Sequence, residues 1–483
     1  MGREEQIISE RTRKLEELRK QKINPYPNRF DKNENCKECL DAKLGKKVQT
    51  AGRLMTKRDI GKIVFANLRD GSGEIQIVLQ EGKTSDEMRD FLKRYVDIGD
   101  FVGIGGEIFK TKTGQKSILV KKIEMLSKSI LPLPEKWHGL QDKEERYRKR
   151  YLDLIMNPEV KGVFEKRAEI ISAIREFLIK KGYIEVETPI LQPIYGGTSA
   201  KPFESQLNAL KMKVYLRISN ELYLKRLIGG GYEKIFEFSR DFRNEGIDAT
   251  HNPEFTLMET MCAYADYKQN MDLVEEMIEF VTKKVLGTTK VKYQGKEIDF
   301  KRPWKRIKMV DAIKSFAKLD AEKMSDSELK KKLKELKIEL PVFKRGIAIE
   351  NIFGALVEEK LIQPTIVYDF PVETCGLAKP KKENPFYAER FEPYINGWEI
   401  GNVYSELNEP QILERYWKEQ ESMLSKDEEA QRMDEDFLNM LKIGMPPTSG
   451  IGIGIDRLIM LLTDSPSIRD VILFPFMKPQ EEE

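Results

Sequence analysis

The stretch RDFRNEGIDATHNPEFTLME, residues 240–259, determines the predicted fold of the chain. Two segments in which polar and apolar residues alternate, 234–243 and 255–264, overlap its two ends and flank a loop. The loop between them contains the turn-forming residues Gly246, Asp248 and Asn252, the last followed by a proline. This pattern predicts an antiparallel hairpin.

Residues two apart on a strand face the same side, so Arg243 and Glu245 are predicted to share one face, as are Phe255 and Glu259. Together with His251, the hairpin would present a guanidinium, two carboxylates, an imidazole and an aromatic ring to one pocket. Guanidinium groups hold phosphate as a rigid fork, and a ring face can stack on a base. The alternative is an ordinary hairpin with solvated charges.

Length and composition limit the possible classes. A chain of 483 residues suggests two or three domains. Because 83 Lys+Arg nearly balance 80 Asp+Glu, any nucleic-acid surface must be local. With no apolar run of membrane-spanning length and a charged start, we expect a cytoplasmic protein without membrane contact.

Residues 1–46 are predicted to form a helical extension. Helix formers and basic residues dominate 4–22, which fits a solvated helix or one laid on RNA phosphates. Cys36 and Cys39 form a lone CxxC, which we interpret as two reduced thiols in a loop rather than half of a zinc site.

Short strands follow at 47–127, and a polar, helix-like stretch at 85–95 interrupts them after the third strand. Five strands with this helix predict an OB-fold barrel, a common platform for single-stranded nucleic acid. Prolines and dense charge indicate a linker at 128–149, so we expect the second domain to span 150–483, with a helical insertion near 305–360.

Polar side chains also cluster in a strand-like segment near the C-terminus. Asn402, Tyr404 and Glu406 lie two apart, and Glu392 and Glu399 add further acids. Burying such groups is costly unless a ligand or metal satisfies them, so we expect a site here. A later run, GIGIG at 450–454, lacks the spacing of a dinucleotide fingerprint, and Asp456 is expected to cap the helix after it.

Together these motifs resemble the class II aminoacyl-tRNA synthetases. FRNE and HNPEF resemble motif 2, the 158–189 segment resembles motif 1, and GIGIG with Arg457 resembles motif 3. HNPEF with AYADY at 263–267, GGTSAKPF and SELN are similar to the lysyl branch. The resemblance implies an α+β fold: an N-terminal OB-fold β-barrel and a catalytic domain with a central antiparallel sheet flanked by helices.

The resemblance also implies ATP and L-lysine as substrates, Mg²⁺ as a cofactor, tRNA(Lys) as a partner and a homodimer. Arg243, Glu245 and Arg457 are the implied catalytic residues. The implied ATP-binding residues are these three with His251, Asn252 and Phe255. The implied lysine-binding residues are Gly197, Glu221, Glu259, Met261, Asn402, Tyr404 and Glu406, and the implied metal ligands are Glu392 and Glu399.

In the barrel, the resemblance implies anticodon contacts. Phe65 would stack on a base and Gln76 would bind the central uridine, with Arg53 nearby. Gln115 occupies a position that is usually glutamate in the family. Other possible functions are an aspartyl or asparaginyl enzyme of the same subgroup, which would need a basic pocket, and an RNA-binding or protein-modifying relative.

One departure gives a test. The family places a tyrosine where this chain has Met261, and a thioether cannot donate a hydrogen bond to a ligand. We expect Met261→Tyr to raise the preference for lysine over ornithine, measured as a ratio of kcat/KM, by about 1 kcal/mol, the net worth of one neutral hydrogen bond. Unchanged ratios for every lysine analogue would show that residue 261 does not face the substrate.

Overall fold

The computed structural model describes residues 2–134, 140, 142–423 and 433–480. The chain is divided into two compact units, Met1–Leu140 and Gln141–Glu483. The predicted linker, 128–149, is described only in part, because residues 135–139 and 141 lie outside the described residues.

The first unit is a closed five-stranded barrel with strand order β1-β2-β3-β5-β4. A helix follows the third strand, and the Ser85 side chain caps it by accepting from the Met88 N–H. The predicted OB-fold barrel is confirmed. Its strands are β1 (Lys47–Asp59), β2 (Ile63–Arg69), β3 (Glu74–Gln80), β4 (Phe101–Lys110) and β5 (Lys116–Ser127), and its helices are α1 (Arg3–Lys20), α2 (Cys36–Asp41) and α3 (Asp86–Tyr95).

The N-terminal helices α1 and α2 share the core of the barrel, with Leu18, Cys36 and Cys39 fully buried. The two cysteines lie on α2 and not in a loop, which corrects the expectation. Burial raises the pKa of the Cys36 thiol to about 12 and that of the Cys39 thiol to about 11, so both are protonated at neutral pH. Among the described residues, no group of three or more His, Cys, Asp or Glu is arranged to hold a metal ion.

The second unit is built on a nine-stranded sheet in which β14-β15-β16-β18-β19-β11-β10-β6 are successive neighbours and β17 pairs with β16. Its pairs are antiparallel except at the two edges. The strands of this unit are β6 (Ile184–Glu185), β7 (Leu191–Gln192), β8 (Glu204–Leu207), β9 (Met212–Leu216), β10 (Lys234–Phe242), β11 (Glu254–Ala263), β12 (Lys290–Tyr293), β13 (Lys296–Asp299), β14 (Lys305–Lys308), β15 (Thr365–Tyr368), β16 (Arg390–Ile395), β17 (Trp398–Glu399), β18 (Gly401–Ser405) and β19 (Thr448–Gly454).

Helices cover this sheet. Their ranges are α4 (Lys143–Arg148), α5 (Arg150–Met156), α6 (Pro158–Lys180), α7 (Glu221–Gly229), α8 (Tyr267–Leu286), α9 (Met309–Ala317), α10 (Asp326–Glu335), α11 (Arg345–Leu356), α12 (Pro410–Met423), α13 (Glu435–Ile443), α14 (Ile455–Leu462) and α15 (Ile468–Val471). Side chains of α6, α8 and α14 form one core with Phe236, Met258 and Ile453 of the sheet. The predicted α+β architecture is therefore confirmed.

The hairpin predicted around residues 240–259 consists of β10 and β11. The bounds of these two strands agree with the predicted segments to within one residue. The helix that begins at Pro158 is also confirmed: proline suits the first helical position, and Gly182, with φ +86°, follows its end.

Two local predictions are wrong. The start of the predicted helical insertion, Lys305–Lys308, is an edge strand that pairs in parallel with β15, and the helices begin at Met309. Asp456 does not cap α14, whose N-cap is Gly454. Its carboxylate is instead buried, accepting from the Thr256 N–H at 2.6 Å and from Arg167 at 2.5 Å. Asp456 thus fixes β11 to the start of α14.

Across the described ranges, helices with both the length and the apolar character needed to cross a membrane are absent.

Candidate active site

Two rows of residues cross the strands β11, β19 and β18. In one row Glu259 is opposite Gly452, which is opposite Asn402. In the next row Met261 is opposite Gly450, which is opposite Tyr404. Directly opposed residues in an antiparallel sheet point to the same face, so the rows place their side chains together.

Because the middle residue of each row is a glycine of β19, the space between the side chains of β11 and those of β18 stays open. A Cβ on Gly450 would lie 2.4 Å from Oε1 of Glu406 and 2.8 Å from Sδ of Met261. Any side chain at this position would therefore displace both neighbours. The middle strand of the three forms the floor of a cavity because it lacks side chains there.

That cavity has a volume of about 470 Å³. All the residues predicted from the sequence for this unit line it: Gly197, Glu221, Arg243, Glu245, His251, Asn252, Phe255, Glu259, Met261, Glu392, Glu399, Asn402, Tyr404, Glu406 and Arg457. The structure thus brings together side chains from segments more than 250 positions apart in sequence.

At one end of the cavity, Arg457 and His251 are in contact. Nη2 of Arg457 lies 3.0 Å from Nε2 of His251, and Nη1 donates to the Glu399 carbonyl oxygen at 2.7 Å. Since a guanidinium can only donate, Nε2 is the acceptor and the ring proton lies on Nδ1, 2.8 Å from Asp248. This end therefore presents a fixed cation and an oriented imidazole, which suits a polyphosphate.

Arg243 and Phe255 form a second pair, with the guanidinium carbon 5.0 Å from the ring centroid. Arg243 and Glu245 lie beyond the last residue of β10, in the loop, so their predicted shared strand face is wrong even though both reach the cavity. Asn252 is buried, and its Oδ1 has no hydrogen-bond partner within the described protein. A buried acceptor without a partner is costly and suits a ligand donor.

The opposite end of the cavity is acidic. Lys225, fully buried on α7, lies between two carboxylates, with its Nζ 2.5 Å from Oε1 of Glu221 and 2.5 Å from Oε2 of Glu406. Burial disfavours the charged lysine, but the two carboxylates outweigh it and raise the pKa of the ammonium. Burial also raises the pKa of Glu406 to about 8, against the opposing effect of Lys225.

Glu259 is a further buried acid in this region. Burial, with Glu221 and Asp241 nearby, raises its pKa well above the usual range. Oε1 of Glu259 accepts from Ser219 at 3.3 Å, whereas Oε2 has no partner among the described residues. Gly197, at φ +94°, passes so close that a Cβ would lie 2.9 Å from the Ser219 hydroxyl, so only glycine fits.

The two predicted metal ligands lie on neighbouring strands, β16 and β17. Glu392 is buried and accepts from Arg390 and from the Tyr394 hydroxyl, the latter at 2.6 Å. Burial raises the pKa of Glu392 to about 7; Arg390 opposes this shift and Glu399 adds to it. A pair of repelling carboxylates, one half-exposed at the cavity wall, fits a hard cation that takes its other oxygens from phosphate and water.

Sequence reasoning missed three polar residues at this site. Arg390 donates to Asn402 at 3.0 Å and to Glu392, and it orients both. Its position two residues before Glu392 on a strand was the available signal. Ser219 and Lys225 carried no comparable signal, because the contact of Ser219 with Glu259 and that of Lys225 with Glu406 join segments far apart in sequence.

On the barrel, the register separates Arg53 from the other predicted anticodon residues. Arg58 of β1 is directly opposite Phe65, whereas Arg53 is opposite Arg69 and donates to the Gly99 carbonyl oxygen. The expectation that Arg53 lies near Phe65 is therefore wrong, and the basic residue opposite Phe65 in the register is Arg58.

Phe65 and Gln76 both occupy positions facing out from the barrel core, on the adjacent strands β2 and β3. Gln76 accepts from the Ser117 hydroxyl at 2.8 Å. Gln115, two residues before Ser117, is exposed in the turn between β4 and β5. The three residues therefore lie on or beside the surface formed by β2, β3 and β5.

Comparisons with known proteins agree with this geometry. The family described as tRNA synthetases class II (D, K and N) matches residues 142–478, and the OB-fold nucleic acid binding domain family matches residues 48–126. The lysine–tRNA ligase of Pelotomaculum thermopropionicum is 50% identical, over 99% of this chain and 97% of that protein. Those of Clostridium novyi and Carboxydothermus hydrogenoformans are 51% and 49% identical, over 98% and 99% of this chain and 94% and 99% of those proteins.

The fold and the site define a class II aminoacyl-tRNA synthetase, with an OB-fold barrel preceding the catalytic unit. Within that class, the chain belongs to the family of the lysine–tRNA ligases.

The phosphate end gives a direct test. We expect Arg457→Ala to lower kcat/KM for amino-acid-dependent pyrophosphate–ATP exchange by a factor that corresponds to at least about 3 kcal/mol of activation free energy. A preorganised charge at a transition state is worth this much. Arg306→Ala is the matched control, because Arg306 lies outside the cavity in a partly exposed ion pair with Asp272. Near-normal exchange by a folded Arg457→Ala protein would contradict the assignment.

Proposed function

We propose that the chain activates L-lysine with ATP and transfers it to the 3′ end of tRNA(Lys). The observation that carries this proposal is the polarity of one cavity: buried carboxylates at one end, and a guanidinium with an oriented imidazole at the other. Such a cavity suits two substrates bound side by side: one with an ammonium at the acidic end, and one with a polyphosphate at the basic end.

In the first step the lysine carboxylate oxygen attacks the α-phosphorus of ATP. A bond forms between that oxygen and phosphorus, the bond to the bridging oxygen of the β-phosphate breaks, and pyrophosphate leaves with the electron pair. The products are lysyl-adenylate and pyrophosphate. No proton needs to be removed from an ionised carboxylate, so positioning and charge neutralisation supply the catalysis.

The residues around Arg243 would hold the nucleotide. Arg243 would bind the α-phosphate and the attacking carboxylate. Phe255, whose ring contacts the Arg243 guanidinium, would stack on adenine. Asn252 and Glu245 would orient the nucleotide, and His251 and Arg457 would take the β- and γ-phosphates. Glu392 and Glu399 would hold Mg²⁺, which when bound neutralises phosphate charge.

The acidic end would hold the amino acid. Glu221 and Glu406 are placed to bind the ε-ammonium by charge-assisted hydrogen bonds. Glu259 has an unpartnered carboxyl oxygen for the α-ammonium, and Gly197 lets the substrate approach the backbone. Asn402 would lie beside the α-carboxylate, with Met261 and Tyr404 along the side chain. This arrangement fits an amino acid that has two ammonium groups, one on its α-carbon and one on its side chain.

An aspartyl or asparaginyl specificity is disfavoured by the same contacts. A carboxylate or carboxamide substrate needs a donor at the acidic end, and the ammonium there, Lys225, is already bound by two carboxylates. An RNA-binding relative without catalysis would not need Arg243 and Arg457 beside the same cavity.

The test is pyrophosphate–ATP exchange measured with each of the twenty amino acids. The proposal predicts exchange with lysine well above every other amino acid, followed by charging of tRNA with a lysine anticodon. Exchange led by aspartate or asparagine, or no exchange with any amino acid, would overturn it.

We propose further that the 47–127 barrel binds the anticodon while the 150–483 region performs the chemistry, in the cytoplasm where charged tRNA is used. Phe65, directly opposite Arg58 on the neighbouring strand, would stack on a base. We expect Phe65→Ala to reduce kcat/KM for tRNA charging by about 1–3 kcal/mol, the worth of a base–aromatic stack. Lysine activation measured without tRNA should not change; an equal loss in both assays would show that the residue serves the fold.

We also propose a homodimer formed through residues 179–194, which comprise the end of the segment that resembles motif 1 and the residues that follow it. Five large apolar residues in this segment, 179–194, are 38–55% exposed: Ile179, Ile184, Ile190, Leu191 and Ile194. Such a concentration on one short segment is typical of a surface that a second protein covers.

We expect Leu191→Glu to convert a dimer, of about twice 56.2 kDa, into monomers, measured by light scattering after size-exclusion chromatography. The matched control is Ile443→Glu, since Ile443 is 88% exposed but lies outside this segment. A monomeric wild type, or a dimeric Leu191→Glu protein, would contradict the proposed interface.

A further inference from the structure

Lys225 is a buried residue to which the proposed reaction assigns no role. It lies on α7, one turn after Glu221, and its side chain is 1% exposed. Its ammonium contacts Glu221 on its own helix and Glu406 just beyond β18, each at 2.5 Å. The two carboxylates that would bind the substrate ammonium are thus already joined by an ammonium of the protein.

This bridge is held from several sides. The ring centroid of Tyr404 lies 5.5 Å from Nζ of Lys225, and the Tyr404 hydroxyl bonds to Glu221. Gly450 leaves room for the Glu406 carboxylate, which a Cβ would meet at 2.4 Å. The ionisable groups that face the bridge from the surrounding strands, helix and loop are Glu221, Glu406, Tyr404, Cys375 and Glu259.

The charges explain why a third group is needed. Two carboxylates close together and away from water repel each other, and without a cation one of them takes up a proton. When both carboxylates are ionised, the two of them and Lys225 together carry one net negative charge, which one incoming ammonium neutralises. Charge balance therefore favours a substrate side chain with a single positive charge.

We propose that Lys225 is a positioning residue for the substrate's side-chain ammonium: it holds Glu221 and Glu406 at a fixed separation and leaves them with one net negative charge. The inference rests on the proposed function, since it concerns how lysine is bound. Lys225 itself does not line the cavity and touches no reacting atom.

The role predicts a specific change with pH. Burial already raises the pKa of Glu406 to about 8 in the presence of Lys225, and loss of the ammonium would raise it further. A protonated carboxyl does not attract the substrate ammonium, so kcat/KM for lysine falls as the pH decreases through this pKa. Removing the lysine charge should move that fall to higher pH.

The experiment measures lysine-dependent pyrophosphate–ATP exchange between pH 6 and 8.5 for the wild type, Lys225→Met and Lys225→Gln. In both variants we expect the acid limb of kcat/KM for lysine to move up by about one pH unit or more, which lowers kcat/KM at pH 7 about tenfold. The loss should appear as a higher KM for lysine, with kcat and the KM for ATP nearly unchanged. Lys225→Arg keeps the charge and should keep the wild-type pH dependence.

Lys128→Met is the matched control. In the barrel unit Lys128 is also a fully buried lysine between two carboxylates, 2.6 Å from Asp97 and 2.7 Å from Asp100. Its replacement should lower the thermal unfolding temperature while leaving the pH profile and the KM for lysine as in the wild type. This result would show that losing a buried ion bridge does not by itself produce the effect expected at Lys225.

The outcomes separate the two proposals. If the wild type does not activate lysine, the proposed function fails first. If the wild type activates lysine and the folded neutral variants retain its KM and acid limb, the role of Lys225 is wrong and the function stands. If neither neutral variant folds, Lys225 serves the fold and the positioning role is likewise overturned.

Discussion

The site depends on a strand without side chains between two strands that carry them. β19 runs between β11 and β18, and at Gly450 and Gly452 it leaves a gap into which the flanking residues project. Because the register is set by hydrogen bonds along three strands, a slip of one residue would turn the functional side chains of the slipped strand to the other face. The cavity is therefore a property of the sheet, and the loops only complete it.

The second requirement is charge compensation in a place with little water. Glu221, Glu259 and Glu406 are all buried, and an isolated buried carboxylate is costly. Lys225 compensates two of them, and burial, with Glu221 and Asp241 nearby, raises the pKa of Glu259 well above its usual range. An ammonium group of a substrate beside these carboxylates would offset part of the cost of burying them.

The helical insertion also reaches the site. Oε1 of Glu350 on α11 lies 3.4 Å from the Arg390 guanidinium, and Oε1 of Glu358, just after that helix, lies 3.2 Å from the Tyr394 hydroxyl oxygen. Arg390 and Tyr394 both bond to Glu392. The insertion therefore supports the carboxylate proposed to hold Mg²⁺, a connection that its lysine-rich sequence did not indicate.

Strand alternation and turn residues predicted the hairpin, the barrel and the helix from Pro158, and the resemblance to the class II synthetases implied the residues that line the cavity of the catalytic unit. What they missed depends on pairing between distant segments. Arg58 rather than Arg53 lies beside Phe65 because of the β1–β2 register. Asp456 bonds to β11 instead of capping its helix because Arg167 and the Thr256 N–H are available only in the folded chain.

The most direct test of this account is a crystal structure with a non-hydrolysable lysyl-adenylate analogue in which a sulfamate replaces the phosphate. The account predicts the analogue's side-chain ammonium within hydrogen-bonding distance of Glu221 and Glu406, its adenine on Phe255 and its sulfamate at Arg243. Lys225 should remain between the same two carboxylates. An analogue bound with its adenine at the acidic end, or outside the cavity between β11 and β18, would contradict the account.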